Sequence, residues 1–107
     1  MGSVNILPAP ANAIYVDVRI FTNIYSNNSQ DLRGATVEAV DSGDTVVYDK
    51  CVHGLYEMNA ITASTYIGGI DGVLRCIVSG GNYYIKPTRL GADVSSVVQF
   101  GILGFGD

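Results

Sequence analysis

Charge is scarce in this 107-residue chain, and the scarcity excludes several classes of protein. Charged residues make up 15% of the sequence, whereas about 25% is usual in globular domains. The six basic residues are scattered and the net charge is −4, although nucleic-acid binding needs a basic patch to neutralise phosphates. We therefore expect no nucleic-acid partner. Because so few charges leave apolar patches on a surface, we expect an oligomer or a subunit docked on something larger.

Long hydrophobic runs are also missing. A membrane helix needs about 18 or more consecutive apolar residues. The longest late stretch without charge, residues 94–106, is interrupted by Ser95, Ser96, Gln99 and glycines. We expect a soluble protein with no membrane partner. The N-terminus has no basic segment followed by an apolar one, so no secretory signal is expected.

Metal ligands are few, since the chain has two cysteines and one histidine. Cys51 and His53 are two residues apart on a predicted strand and so share a face, and thiolate plus imidazole is a pair that zinc accepts. A structural zinc site takes four ligands, so even with Cys76 a carboxylate such as Asp49 or Glu57 would be needed. We expect no metal and no cofactor. Buried free thiols are predicted, with a disulfide as the alternative.

Catalytic groups are equally sparse. With one histidine, a hydrolase triad is not expected, and the Cys51 and His53 side chains are not aimed at each other from one strand. The only glutamates are Glu38 and Glu57, and most aspartates lie beside Gly or Ser in turn-like segments. Asp41-Ser42-Gly43-Asp44 lacks the oxygen-ligand spacing of an EF-hand calcium loop. We expect no catalytic residues, and the chain is predicted not to be an enzyme.

The clearest element that is present covers residues 13–25. Aliphatic residues occupy alternate positions and mixed polar and aromatic residues occupy the others, which is the period-two pattern of a β-strand. The aliphatic set, which predicts the core face, is Ile14, Val16, Val18, Ile20 and Ile24. The opposite set, which could face solvent, a second layer or an interface, is Tyr15, Asp17, Arg19, Phe21, Asn23 and Tyr25.

A hairpin is predicted next. Residues 35–40 and 45–49 are rich in β-branched side chains and are joined by the turn-forming residues 41–44, where Gly43 can adopt a positive φ. Val37 and Ala39 alternate with Thr36 and Glu38 in the first strand, and Val46 and Tyr48 alternate with Thr45 and Val47 in the second. We expect these four side chains to share one inward face.

Turn signals then recur about every ten residues, which is typical of an antiparallel sandwich or barrel. Further strands are predicted at residues 51–58, 61–67, 73–79, 83–86 and 97–103, separated by Gly68-Gly69, Asp71-Gly72, Gly80-Gly81-Asn82 and Gly91. The predicted fold is all-β: one antiparallel β-sandwich, immunoglobulin-like or jelly-roll-like, over residues 13–107. Residues 1–12 contain Pro8 and Pro10 and predict an extended N-terminal arm, with a disordered leader as the alternative.

Aromatic residues are the remaining candidates for function: there are seven tyrosines and three phenylalanines but no tryptophan. Tyrosine is favoured at protein interfaces because it buries much area and keeps a polar group. Tyr83 and Tyr84 lie on opposite faces of one strand, so we expect only one ring in the core. The predicted interface residues are Pro8, Pro10, Tyr15, Phe21, Tyr25, Tyr83, Tyr84, Phe100 and Phe105.

Three stretches carry a resemblance that covers about half of the chain. They are residues 34–37 with 41–47, Gly54-Leu55-Tyr56, and residues 73–78 followed by Tyr83-Tyr84. They resemble parts of the immunoglobulin-like and prealbumin-like sandwich modules that occur in bacterial surface proteins and phage virions. The first stretch resembles the first hairpin of such a module, the second resembles a later strand that starts with Gly-x-aromatic, and the third resembles the closing strands. His53 replaces the Asp usual before the Gly-x-aromatic step, and no Lys/Asn/Glu set for an isopeptide crosslink is evident.

The resemblance implies a sandwich used for contact. Together with the low charge, the N-terminal arm and the apolar C-terminal strand, it points to a structural virion protein, such as a phage capsid decoration or cement protein or another head or tail assembly subunit. The expected partners are copies of itself and a larger protein shell such as a major capsid protein. The expected location is the virion, assembled in the host cytoplasm. The alternative is a secreted or surface module that recognises a sugar or a protein.

Overall fold

In the part of the chain that the structure describes, seven strands form two antiparallel sheets, which confirms the predicted all-β sandwich. The computed structural model describes the backbone of residues 4–26, 32–56, 65–90 and 94–107, and the side chains of 4–23, 35–52, 69–88 and 100–107. The strands are β1 (Asn5–Pro8), β2 (Tyr15–Ser26), β3 (Leu32–Val40), β4 (Val47–Tyr56), β5 (Thr65–Ile77), β6 (Asn82–Leu90) and β7 (Val94–Gly106). Within these ranges, no helix is long and apolar enough to cross a membrane.

The first sheet has the strand order β1-β6-β3-β4 and the second has the order β5-β2-β7. In an immunoglobulin sandwich the second strand also lies beside the fifth, and the third beside the sixth. Here, however, the last strand pairs with β2 and the first with β6. The two terminal strands are therefore exchanged between the sheets relative to the immunoglobulin order.

Strand β2 forms the centre of the core, as its alternation predicts. Val16, Val18 and Ile20 are completely buried between the sheets. Ile14 was expected on the same face but is 61% exposed, because it precedes the first residue of β2 and the backbone bends there. The Ile24 side chain lies outside the described residues.

The predicted hairpin is present as β3 and β4, and Asp41 organises its loop. One Asp41 carboxylate oxygen accepts the N–H groups of Thr45 and Val46 at 2.6 and 2.8 Å, and the other accepts the Thr45 hydroxyl at 2.8 Å. The positive φ falls on Asp44, at 56°, and not on Gly43 as predicted. Asp44 can adopt this conformation because short polar side chains tolerate the left-handed region.

The inward face of the hairpin is only partly as predicted. Val37 and Ala39 are completely buried, but Val46 and Tyr48 are 47% and 45% exposed, so the prediction for the second strand is wrong. The register explains the difference. Val37 pairs with Cys51 and Ala39 with Asp49, and directly paired residues share a face, so Cys51 and Asp49 take the inward positions of β4. The register then shifts, and Val40 pairs with Val47.

Strand β5 runs continuously through Gly68-Gly69 and Asp71-Gly72, which were predicted to be turns. The described part of the predicted strand at 61–67, residues 65–67, is not separate from the predicted strand at 73–79, because Gly69 and Gly72 pair with Asn23 and Ile20 of β2. Residues 61–64 lie outside the described residues. These glycines give room for close packing. A Cβ at Gly69 would collide with the carbonyl oxygen of Thr22, and one at Gly72 would lie 3.0 Å from the Cys51 sulfur.

The predicted turn at Gly80-Gly81 is present and carries the chain from the second sheet to the first. Both glycines have positive φ, 60° and 78°, the pattern of a type I′ two-residue turn. Ser79 and Asn82 exchange two backbone hydrogen bonds around it, at 2.9 and 3.1 Å. This turn brings β6 to the first sheet directly after β5 ends in the second.

Part of the predicted N-terminal arm belongs to the sandwich. Residues 5–8 form β1 and pair antiparallel with residues 82–85 of β6, and Leu7 packs against the core. Proline is compatible with a strand at a sheet edge, where one side of the backbone needs no partner. That residues of this segment also reach another molecule stays a prediction.

Candidate interaction surfaces

Eight of the nine predicted interface residues have described side chains, and these eight divide into three groups. Exposed are Pro8, Phe21 and Phe105, with Phe21 and Phe105 39% and 54% exposed. Partly buried are Pro10, Tyr15 and Phe100. Tyr83 and Tyr84 form the third group, both buried, and the Tyr25 side chain lies outside the described residues.

Only Tyr83 belongs to the core between the sheets, as expected, but both tyrosine rings are buried within the chain. Tyr83 faces the core and is 4% exposed. Tyr84 lies on the opposite face of β6, where it pairs with Ile6 and Val40 and is 8% exposed. Its hydroxyl donates a hydrogen bond to the Ser79 carbonyl oxygen at 3.3 Å. These two rings offer little surface to a partner.

The outward face of the second sheet carries two ion pairs between β2 and β5. Arg19 binds the Asp71 carboxylate through two nitrogens at 3.1 and 3.0 Å, and Arg75 binds Asp17 in the same way at 2.8 and 2.9 Å. These hydrogen bonds are the main reason why the pKa of each carboxyl group lies below its ordinary value. Both ion pairs are exposed to solvent, and exposed ion pairs contribute little to the free energy of folding. Their main effect is on the shape and the charge distribution of this face.

Tyr15 extends this polar face towards the end of β7. The Arg75 guanidinium lies 4.1 Å from the centre of the Tyr15 ring, a cation–π contact. The ring also lies against Gly106 so closely that a Cβ there would collide with it. Tyr15 is thus a well-fixed side chain, held between a cation and a glycine of the neighbouring strand.

A shallow depression of about 380 Å³ opens on the second sheet, lined by Arg19, Phe21, Phe100 and Gly101. Gly101 pairs with Arg19, and no atom lies within 4 Å of the position that its Cβ would take. The depression therefore exists because β7 has no side chain at this point. It offers an aromatic ring beside a guanidinium that is already bound to Asp71.

A group of exposed apolar side chains lies on β7, at the edge of the second sheet. Ile102 and Phe105 pair with the buried Val18 and Val16, so both point to the inner face, yet they are 46% and 54% exposed. The first sheet packs mainly over β5 and does not cover this end of β7. Leu103, at the bulge between these positions, is 60% exposed.

Sequence analysis missed Ile102 and Leu103 as candidate contact residues. Their position could have been suspected from the absence of charge between Val94 and Gly106. The alternation of β7 did not reveal them, because the bulge shifts the register within the strand.

The candidate metal and nucleophile residues do not form a site among the described side chains. Cys51 and Cys76 are free thiols, half-buried and buried respectively, and no group of three or more metal-ligating side chains occurs within the described part of the chain. The side chain of His53 and all of Glu57 lie outside it. Asp41 is bound by its own loop, and the Asp44 carboxylate binds Lys86 Nζ at 2.7 Å.

Comparison of the chain with protein-family models, curated proteins and solved structures finds no match.

Proposed function

We propose that this chain is a structural assembly subunit of a virion, such as a phage capsid decoration or cement protein, which acts through protein–protein contacts. The observation that carries the proposal is the β7 edge: a 13-residue strand without charge, whose inner side chains Ile102 and Phe105 are about half exposed. Apolar surface of this kind marks contact sites in soluble proteins. Partners in this proposal are copies of the chain and a larger protein shell.

The composition supports the same proposal. A surface with few charges is poorly suited to a chain that stays alone in solution, because charge keeps proteins soluble and monomeric. The charges that the described side chains carry on the second sheet are largely neutralised by each other, Arg19 by Asp71 and Arg75 by Asp17. Recognition of a partner protein therefore depends on apolar side chains and on the backbone hydrogen-bonding groups at strand edges.

The proposal is tested by purifying nuclease-resistant particles from a culture of the source on a density gradient and quantifying the chain in each fraction by mass spectrometry. We expect the chain to sediment with a shell protein at a fixed ratio that survives washing in high salt, because the contacts are apolar. A chain that stays at the top of the gradient while the shell protein sediments would overturn the virion assignment.

The second candidate function is a surface module that recognises a sugar or a protein, and the depression at Arg19 and Phe21 favours it. An aromatic ring beside a charged hydrogen-bond donor suits a ring-shaped polar ligand. Titration with simple sugars, followed by NMR, is expected to shift the Arg19, Phe21 and Gly101 resonances if this function is correct. If these resonances do not shift at millimolar sugar, sugar recognition by the depression is rejected, and the depression is then only a part of the assembly surface.

A further inference from the structure

The four strand edges of the sandwich differ in how they are protected against pairing with another chain. Unprotected edges promote association, and proteins usually block them with short strands, proline, charge or a cover. In the first sheet, β1 has only four residues and contains Pro8. The other edge of that sheet, β4, carries Asp49 and Lys50 near its start.

The β5 edge of the second sheet is closed by contacts from the first sheet. The Asp49 carboxylate accepts a hydrogen bond from the Arg75 N–H at 2.8 Å, and the Cys51 thiol lies 3.9 Å from the Val73 carbonyl oxygen. The outward side chains of β5 also include the charged Asp71 and Arg75. A further strand cannot pair along β5 here without displacing these groups.

Within the described residues, none of these protections is found at the β7 edge. Among the described strands β7 pairs only with β2. Its 13 residues include no charged side chain and no proline. A strand of this length in this setting presents a row of backbone donors and acceptors along its free side.

We infer that β7 pairs antiparallel with β7 of a second copy of the chain, about a twofold axis, so that the two three-stranded sheets join into one of six strands. The inference rests on the proposed function, since it names the partner of the assembly surface. Self-pairing is favoured because a strand without charge meets its own copy without placing like charges opposite each other. A charged partner strand would find no complementary group on β7.

The exposed side chains of β7 are arranged for the same contact. Ile102 and Phe105 point to the inner face, so in the joined sheet the inner residues of both copies lie on one side and cover each other. A contact formed by these side chains, Leu103 and one strand edge is small, so we place it at the low end for specific interfaces, below about 1,200 Å² in total. We therefore expect a reversible dimer whose population depends on concentration.

Sedimentation velocity over a concentration series from micromolar to near-millimolar tests the inference. Wild-type protein is expected to shift from monomer to dimer as the concentration rises. Ile102→Lys and Phe105→Lys each place an inward-facing charge at the contact, and we expect each to raise the dimer Kd at least about tenfold. Both side chains are already about half exposed, so the monomer is expected to keep its β-rich circular dichroism spectrum.

The matched control is Val73→Lys. Val73 is 50% exposed on β5, the opposite edge strand of the same sheet. The Val73→Lys substitution should leave the dimer Kd unchanged. Hydrogen exchange adds a second measurement. Those amides of residues 100–105 that point away from β2 should exchange more slowly in the dimer than in the diluted monomer, while the amides of β5 should not change. A wild-type monomer at every concentration, or equal weakening by Val73→Lys and Ile102→Lys, would overturn the inference.

The outcome is separable from that of the particle experiment. A dimer that is sensitive to Ile102→Lys but absent from particles upholds the β7 contact and rejects the virion role. A chain that is present in particles but strictly monomeric when isolated upholds the virion role and rejects self-pairing through β7.

Discussion

The Asp49 carboxylate accepts a hydrogen bond from the backbone N–H of Arg75 at 2.8 Å and thereby joins the two sheets along one side of the sandwich. The second carboxylate oxygen accepts the Lys50 N–H, also at 2.8 Å, which fixes the orientation of the group. One side of the sandwich is therefore closed by a side chain from the facing sheet. On the other side β7 pairs, among the described strands, only with β2.

Asp49→Ala should release the Arg75 amide. We expect its hydrogen exchange to become faster and the free energy of unfolding to fall by about 1 kcal/mol, because a backbone donor loses its partner. Asp49→Asn retains an oxygen acceptor at the same place and should keep most of the protection. Unchanged exchange at Arg75 in the alanine variant would mean that the amide is protected by something else.

Gly69→Ala should be strongly destabilising. The new Cβ would collide with the backbone carbonyl of Thr22, and a backbone atom cannot move aside as the end of a side chain can. We expect a loss of at least about 2 kcal/mol in chemical denaturation. Gly101→Ala in β7 is the matched control, since its Cβ meets no atom within 4 Å, and it should change stability by no more than about 0.5 kcal/mol.

These glycines show where sequence reasoning ends. The alternation of Val16, Val18 and Ile20 in β2 and the presence of a turn at residues 41–44 are predicted correctly, because both depend on neighbouring residues in the chain. A glycine pair such as Gly68-Gly69 is equally suited to a turn and to close strand packing, and only the long-range pairing with β2 decides between them. For the same reason the sequence predicts an apolar strand at 97–103 but not that it lies at an uncovered edge.

Thr22→Val should stabilise the protein. Thr22 is completely buried at a core position of β2, and its hydroxyl has no hydrogen-bond partner within the described residues. Replacing it by a methyl group of similar size removes an unpaired polar atom, and we expect a gain of about 1 kcal/mol. Thr22→Ser, which keeps the hydroxyl and loses the methyl group, should instead destabilise. A less stable valine variant would indicate a bound partner for the hydroxyl.

Acid should weaken the fold through its paired carboxylates. Hydrogen bonds from Arg75, Arg19 and the hairpin loop hold the pKa values of Asp17, Asp71 and Asp41 below the ordinary 3.8. Their stabilising contribution is therefore complete above that ordinary value and is lost as the pH falls through the lower folded values. The Asp17→Asn/Asp71→Asn double variant should show a shallower decline of Tm with acid than wild type. An identical decline would assign the acid sensitivity to other groups.

The two thiols should differ in reactivity although both face the interior. Burial raises the pKa of Cys76 to about 12, and burial together with the nearby Asp49 charge raises that of Cys51 by less. Alkylation requires the thiolate and access to it. At pH 8 we therefore expect Cys51, which is half-buried, to be labelled slowly by iodoacetamide, and Cys76 to be labelled only when the sandwich opens.

Intact-mass measurement over time, with the single-thiol variants Cys51→Ala and Cys76→Ala, separates the two rates. In guanidinium chloride both thiols should be labelled at the rate of a free cysteine, which shows that the difference comes from the fold. Because Cys76 faces the core opposite Val16, its labelling rate should track the unfolding of the sandwich. Rapid labelling of Cys76 in native buffer would contradict its burial between the two sheets.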